Sequence, residues 1–189
     1  MFIKANDGSV LDHSGKVIFF SVERFVKDIC EGNCCFICGA NPSNVKFNDE
    51  HILPDWLLRK YGLFSKKINL PNGTSFRYDQ YKVPCCASCN SLMGETFEKP
   101  IRELIEGGYL RFTDHIANHG FSFLLNWLAL IFFKTHLKDR NLRINRDTRD
   151  NYGYIADGYD WQELFHIHCI ARSFYTKCEL DTTVQGTLL

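Results

Sequence analysis

The chain has 189 residues, of which 45% are hydrophobic and 23% are charged. This composition is typical of a soluble globular protein with one hydrophobic core and room for a small appended unit. Twenty-two basic residues balance 22 acidic ones, so the protein has no overall charge that attracts nucleic acid, and contact with DNA or RNA requires a local patch.

Two stretches of the sequence indicate whether the chain is exported or enters a membrane. The first residues break up too early for the apolar region of a signal peptide. The longest apolar run, residues 121–133, is too short for a membrane span and contains polar residues. We therefore expect a cytoplasmic protein that does not enter a membrane.

Turn signals in the first 20 residues predict an N-terminal hairpin. The Asp-Gly pair at 7–8 and the Ser-Gly pair at 14–15 favour turns, and residues 16–20 form a strand-like apolar run. Ser21 is expected to cap a helix over residues 22–30, whose apolar positions recur at helical spacing.

Two Cys-x-x-Cys pairs dominate the middle of the chain. This spacing lets two thiolates bind one tetrahedral ion from a tight turn. Nine cysteines in a chain without an export signal favour metal or free thiols over disulfides, and a redox dithiol is the alternative for either pair alone. Together the pairs predict a structural Zn²⁺ site. The expected ligands are Cys35, Cys38, Cys86 and Cys89, with the adjoining Cys34 and Cys85 as competing choices that lack the spacing.

The region between the pairs contains Glu50-His51, followed by a short helix that begins near Pro54. Residues 66–70 and 75–83 are predicted to form the arms of a hairpin. A helix over residues 89–106 should end at the two glycines that follow it.

The second half of the chain is predicted to be mainly helical. Residues 121–137 carry a wide apolar stripe that other elements must cover. Residues 134–149 are basic, and both a phosphate-facing loop and a solvated segment explain them equally well. Residues 161–175 fit a helix or a strand. The basic residues are Lys134, Lys138, Arg140, Arg143, Arg146 and Arg149.

A family resemblance rests on motifs in a fixed order over residues 34–106. The two cysteine pairs flank a Glu-His-Ile-x-Pro stretch at 50–54, Asn90 follows the second pair, and Glu98 lies eight residues further on. This arrangement resembles the zinc-stapled HNH endonucleases. It implies a zinc-stapled ββα-metal (treble-clef-like) core over 34–106. With the N-terminal hairpin and helix at 1–33 and the mainly helical extension at 107–189, which are predicted from the residues, the expected fold class is α+β.

The resemblance also implies roles for the motif residues. His51 matches the general base that activates water, and its ordinary pKa near neutrality suits that task. Glu50 and Asn90 match the ligands of a catalytic Mg²⁺ or Mn²⁺, for which oxygen donors are a suitable set. Glu98 is a second ligand, an anchor for one, or a surface acid. The family's middle Asn falls near Gln80, which either replaces it or leaves the support to another group.

The function expected from these residues is metal-dependent endonuclease cleavage of DNA phosphodiester bonds, in a bacterial or phage defence or mobile-element setting. Two alternatives stay open, namely a non-catalytic zinc module that binds nucleic acid or protein, and a nuclease that acts on RNA. Residues 121–137 offer an apolar surface for self-association or for a protein partner.

Overall fold

The computed structural model describes residues 2–149 and 151–178. It combines small antiparallel sheets with helices that make up about half of the chain, in agreement with the α+β class. Within the described ranges no single helix is long and apolar enough to cross a membrane. Helices Gly108–His119 and Ser122–Asp139 meet that condition only as a pair, and the chain bends by 104° between them.

The N-terminal region is a three-stranded meander, so the predicted hairpin is extended by one strand. Both predicted turns form, and their glycines, Gly8 and Gly15, have φ values of 84° and 83° that favour glycine. The Ser21 cap is confirmed, because its Oγ accepts a hydrogen bond from the Arg24 amide at 3.1 Å. The elements are β1 (Ile3–Lys4), β2 (Val10–Leu11), β3 (Val17–Phe19) and α1 (Val22–Arg24), which continues as π-helical turns over Phe25–Cys30.

The central region pairs β4 (Glu50–His51) with β7 (Lys82–Val83). This pairing corrects the predicted hairpin, whose second arm was expected to extend to residue 83. The arm ends earlier because a 3₁₀ turn over Tyr78–Gln80 redirects the chain. Tyr81 then anchors the new direction, since its hydroxyl donates to Asp139 at 2.6 Å. The remaining elements are α2 (Asp55–Lys60) and the hairpin of β5 (Lys67–Asn69) and β6 (Ser75–Arg77).

A continuous helical run follows the second cysteine pair, as predicted. It consists of α3 (Ala87–Met93), π-helical turns over Gly94–Glu98, and α4 (Lys99–Glu106). The wider turns of a π-helix advance by a smaller angle per residue, which rotates Glu98 towards the face that carries Asn90. Gly107 ends the run, and α5 (Gly108–His119) begins at once.

Two further helices complete the fold. They are α6 (Ser122–Asp139) and α7 (Phe165–Thr176), and α7 decides the open assignment of residues 161–175 in favour of a helix. The N-terminal, central and C-terminal segments share the buried core. Phe25, Phe36 and Phe133 are core residues from these three segments in that order. The α6 and α7 helices pack against each other. Helix α6 also contacts β7, between the cysteine pairs, and α7 contacts β3.

Candidate functional site

The four predicted cysteines come together as one cluster. The Sγ atoms of Cys35, Cys38, Cys86 and Cys89 all lie within 4.8 Å of one another. A tetrahedral zinc–thiolate site places neighbouring sulfurs about 3.8 Å apart, and the Cys38 and Cys86 sulfurs are 3.6 Å apart. The cluster can therefore hold a structural metal such as zinc. Cys85, a predicted competitor, lies beside it with its sulfur 3.9 Å from that of Cys35.

Backbone hydrogen bonds shape the first cysteine pair. The Gly39 amide donates to the Cys35 carbonyl, and the Cys35 amide donates to the Ala40 carbonyl, each at 2.9 Å. Gly39 has a φ of 73°, and a Cβ on it would lie 2.5 Å from the Phe20 ring. Glycine is thus required just after the second ligand, both for backbone conformation and for space.

The second cysteine pair sits at the start of α3. Cys86 precedes the helix and Cys89 lies in its first turn. The Ala87 amide donates to the Lys46 carbonyl at 2.9 Å, which fixes this helix start against the segment that leads into β4. The same helix start carries Asn90, so the cysteine cluster and the Glu50-His51 strand are held in one unit.

Close packing of the thiols perturbs their proton affinities. The pKa of Cys35 lies well below its ordinary value because hydrogen bonds with the Cys38, Cys85 and Cys89 thiols favour its thiolate form. The pKa of Cys38 rises to about 12, chiefly because it donates to Cys35. Such a buried set favours a cation that replaces the shared protons, and thiolates suit zinc.

A buried arginine from α7 supports the first cysteine pair. Arg172 is 2% exposed, and its guanidinium donates to the carbonyl of Ile18 at 2.9 Å and to those of Ile37 and Cys38 at 3.4 Å. It also donates to the Val17 carbonyl. Arg172 therefore ties β3 to the turn that carries Cys38.

The adjacent motif residues Glu50 and His51 face different surroundings, as expected for neighbours in a strand. Glu50 is buried, whereas His51 is half-buried. Lys134 of α6 donates to the Glu50 carboxylate at 2.9 Å and to the His51 carbonyl at 2.7 Å. Support for the strand thus comes from Lys134, and Gln80 accepts a hydrogen bond from the Arg77 amide instead.

Glu98 and Asn90 reach this strand in different ways. Burial and the nearby charge of Glu50 raise the pKa of Glu98 to about 8, and Lys134 opposes that rise. Asn90 donates from its side-chain amide to the Asp49 carbonyl at 3.1 Å. The structure therefore brings the Glu50 and Glu98 carboxyl groups together. It also ties Asn90 to the backbone of Asp49, the residue before Glu50.

His51 has the properties of a neutral base. Burial and the neighbouring charge of Lys82 lower the pKa of His51, so its imidazole is uncharged at pH 7. Its Nε2 is enclosed and has no hydrogen-bond partner within residues 2–149 and 151–178. The Phe64 ring meets the imidazole edge-on, with the ring centres 6.2 Å apart. The Nε2 atom therefore makes no hydrogen bond to the described residues and is closed to solvent.

Three cations of the basic stretch contact the protein's own backbone or acids. Lys134 is 1% exposed, Arg140 donates to the Ile29 carbonyl at 3.0 Å, and Arg146 donates to the Gly73 carbonyl at 3.0 Å. Lys134 is buried, whereas Arg140 is half-buried and Arg146 is exposed. Of these three positions, only Lys134 lies outside both predictions, because it is closed to solvent.

Sequence reasoning missed Lys134 and Arg172 as site residues. For Lys134 a signal existed, because it lies four residues after Leu130 and three before Leu137, within the buried stripe of α6. Arg172 follows a run of buried residues in α7, and its partners lie about 135 to 155 residues earlier.

No protein-family model, curated protein or solved structure matches this chain. The HNH resemblance therefore rests on the motif residues themselves.

Proposed function

We propose that the chain is a zinc-stapled HNH-type endonuclease that hydrolyses phosphodiester bonds in DNA. The observation that carries the proposal is the hydrogen bond from Asn90 to the Asp49 carbonyl. It joins the helix that begins at the second cysteine pair to the strand of Glu50 and His51, in the motif order of that family.

In this proposal His51 is the general base. A ring nitrogen of His51 accepts a proton from the water that attacks phosphorus, the new P–O bond forms, and the bond to the 3′ oxygen breaks. Neutral imidazole is the form that this step requires, which agrees with the lowered pKa of His51. Lys134 holds the His51 carbonyl and thereby fixes the strand that carries the base.

A catalytic divalent cation fits the chemistry of the nearby oxygen donors. Glu50 and Glu98 would hold Mg²⁺ or Mn²⁺ together with Asn90, because carboxylate and amide oxygens are the donors that these ions prefer. When bound, such an ion offsets the negative charge that develops on the phosphate. The buried carboxylate of Glu50 is anchored to α6 by Lys134, so its position is fixed in advance.

Plasmid cleavage by purified protein tests the proposal. Wild type, His51→Ala and His13→Ala are compared with Mg²⁺, Mn²⁺ or EDTA, and an RNA substrate of matched sequence is run beside the plasmid. We expect metal-dependent cleavage of DNA that falls by at least about 10²-fold in His51→Ala, since general-base catalysis contributes that much. His13 is exposed in an N-terminal turn, so His13→Ala should cleave like wild type.

Three results would contradict the proposal. Equal cleavage by wild type and His51→Ala would remove His51 from the reaction. Binding of DNA without cleavage under every metal condition would favour the non-catalytic zinc module, and cleavage of RNA alone would change the substrate.

A further inference from the structure

Lys134 places a positive charge on the acid pair in a region closed to solvent. Its side chain is 2% exposed and that of Glu50 is 6% exposed, with 2.9 Å between Nζ and Oε1. Glu98 lies beside Glu50, because the two carboxyl groups share a hydrogen bond. The ammonium group of Lys134 therefore lies against this acid pair through its contact with Glu50.

We propose that Lys134 sets the divalent-cation affinity of the candidate nuclease site by competing with the ion for Glu50 and Glu98. The inference rests on the proposed function, which places the ion at these residues. An ammonium and a divalent ion repel each other strongly at short range in a poorly solvated site. A divalent ion therefore binds at these acids against the electrostatic repulsion of the Lys134 ammonium group.

The structure gives Lys134 little room to withdraw. It lies on the buried face of α6 between Leu130 and Leu137, so its stem is enclosed by the core. Its Nζ makes a second hydrogen bond, to the His51 carbonyl at 2.7 Å. The ammonium is consequently held beside the acids, and its repulsion persists when an ion approaches.

Titration with Mn²⁺, followed by the electron paramagnetic resonance signal of the free ion, measures the affinity without any cleavage reaction. Zinc-loaded wild type is compared with Lys134→Met, which removes the charge and keeps an unbranched apolar stem. We expect Lys134→Met to bind Mn²⁺ more than about tenfold more tightly. Adding Glu98→Gln to that variant should abolish the gain, which locates the ion at the acid pair.

Lys138→Met is the matched control, because it removes the same charge one turn later on α6, where the side chain is half-buried. It should bind Mn²⁺ like wild type. If Lys134→Met fails to fold, Lys134→Gln provides the same test with a neutral side chain that can still donate to the His51 carbonyl. Unchanged or weaker Mn²⁺ binding in the folded neutral variant overturns the proposal.

Failure of this inference can be told apart from failure of the proposed function. His51-dependent plasmid cleavage with unchanged Mn²⁺ affinity in Lys134→Met would leave the nuclease standing and remove the role of Lys134. Tighter Mn²⁺ binding by Lys134→Met without His51-dependent cleavage would support the role of Lys134 and remove the nuclease activity.

Discussion

The cysteine centre and the Glu50 centre are each reached by a buried cation from a different C-terminal helix. Arg172 of α7 donates to backbone carbonyls, including that of Cys38, and thereby holds the turn that carries a thiol. Lys134 of α6 donates to a carboxylate as well as to a carbonyl. The arginine thus fixes backbone geometry, whereas the lysine also balances a side-chain charge.

This difference indicates two kinds of site. At the cysteine centre the ligands, the turn and the arginine all define one rigid geometry, as a structural metal requires. At the Glu50 centre the lysine neutralises charge on a group that the proposed reaction uses. We therefore expect substitutions at the first centre to act mainly on stability, and those at the second to act mainly on ion binding and cleavage.

The largest effect is expected for Cys89→Ser, which removes a fully buried sulfur of the cysteine cluster. Structural zinc in small domains contributes about 10–16 kcal/mol of binding free energy, which is comparable to the whole stability of a typical domain. The variant should lose zinc and fail to unfold cooperatively. Zinc content by mass spectrometry and thermal unfolding by circular dichroism measure both.

Two other cysteines serve as controls for that variant. Cys34 is half-buried and outside the cluster, so Cys34→Ser should keep zinc and unfold like wild type. Cys85→Ser tests the neighbouring sulfur, which we also expect to leave the zinc content unchanged. Loss of zinc in Cys85→Ser together with its retention in Cys89→Ser would overturn the assigned ligand set.

The two centres also differ in how much the sequence predicted. The cysteine cluster was predictable because each pair is a local motif with a spacing that suits one ion. The strand of Glu50 and His51 was identified by the same kind of local motif. The supports were not predictable in this way, because Lys134 lies 84 residues after Glu50 and Arg172 lies 154 residues after Ile18. Only the packing of α6 and α7 brings them to the centres.

The central hairpin illustrates a second limit of sequence reasoning. Residues 75–83 satisfy the pattern of a single strand, yet the chain turns after Arg77. The Tyr81 hydroxyl bonds Asp139 of α6, and this tertiary contact favours pairing of β7 with β4. The tertiary contact with α6 therefore outweighs the strand propensity of this segment.

A second prediction concerns Arg172→Met, which removes the arginine from the cysteine centre while keeping its volume. The carbonyls of β3 and of the Cys38 turn lose buried hydrogen bonds, and we expect the free energy of unfolding to fall by about 3 kcal/mol. Zinc should still bind. Chemical denaturation with a parallel zinc measurement tests both statements.

Arg172→Lys sharpens that prediction, because a single ammonium cannot span β3 and the Cys38 turn as the planar guanidinium does. We expect it to recover less than half of the lost stability. Arg102→Met on α4 is the control, since its pair with Glu106 is exposed and should matter little. Wild-type stability in Arg172→Met would show that the arginine does not support the centre.

The smallest effect is a pH dependence that belongs to the cysteine side of the core. His168 of α7 is fully buried among Phe20, Phe25 and Phe133. Burial, and then the charge of Arg172, lower the pKa of His168 from 6.5 to about 3. The unfolded chain therefore takes up this proton first, so His168 lowers stability as the pH falls below 6.5 towards 3. At pH 5 the loss relative to neutral pH should be about 2 kcal/mol.

His168→Phe isolates this contribution, because phenylalanine fits the aromatic surroundings and does not titrate. The difference in unfolding free energy between His168→Phe and wild type should shift by about 2 kcal/mol in favour of the variant between pH 7.5 and pH 5. Acid release of zinc affects both proteins alike, so it cancels in this difference. A parallel decline of the two proteins over that range would show that His168 accepts a proton in the folded state, and the cysteine side of the core would then tolerate a buried charge as the Glu50 side does.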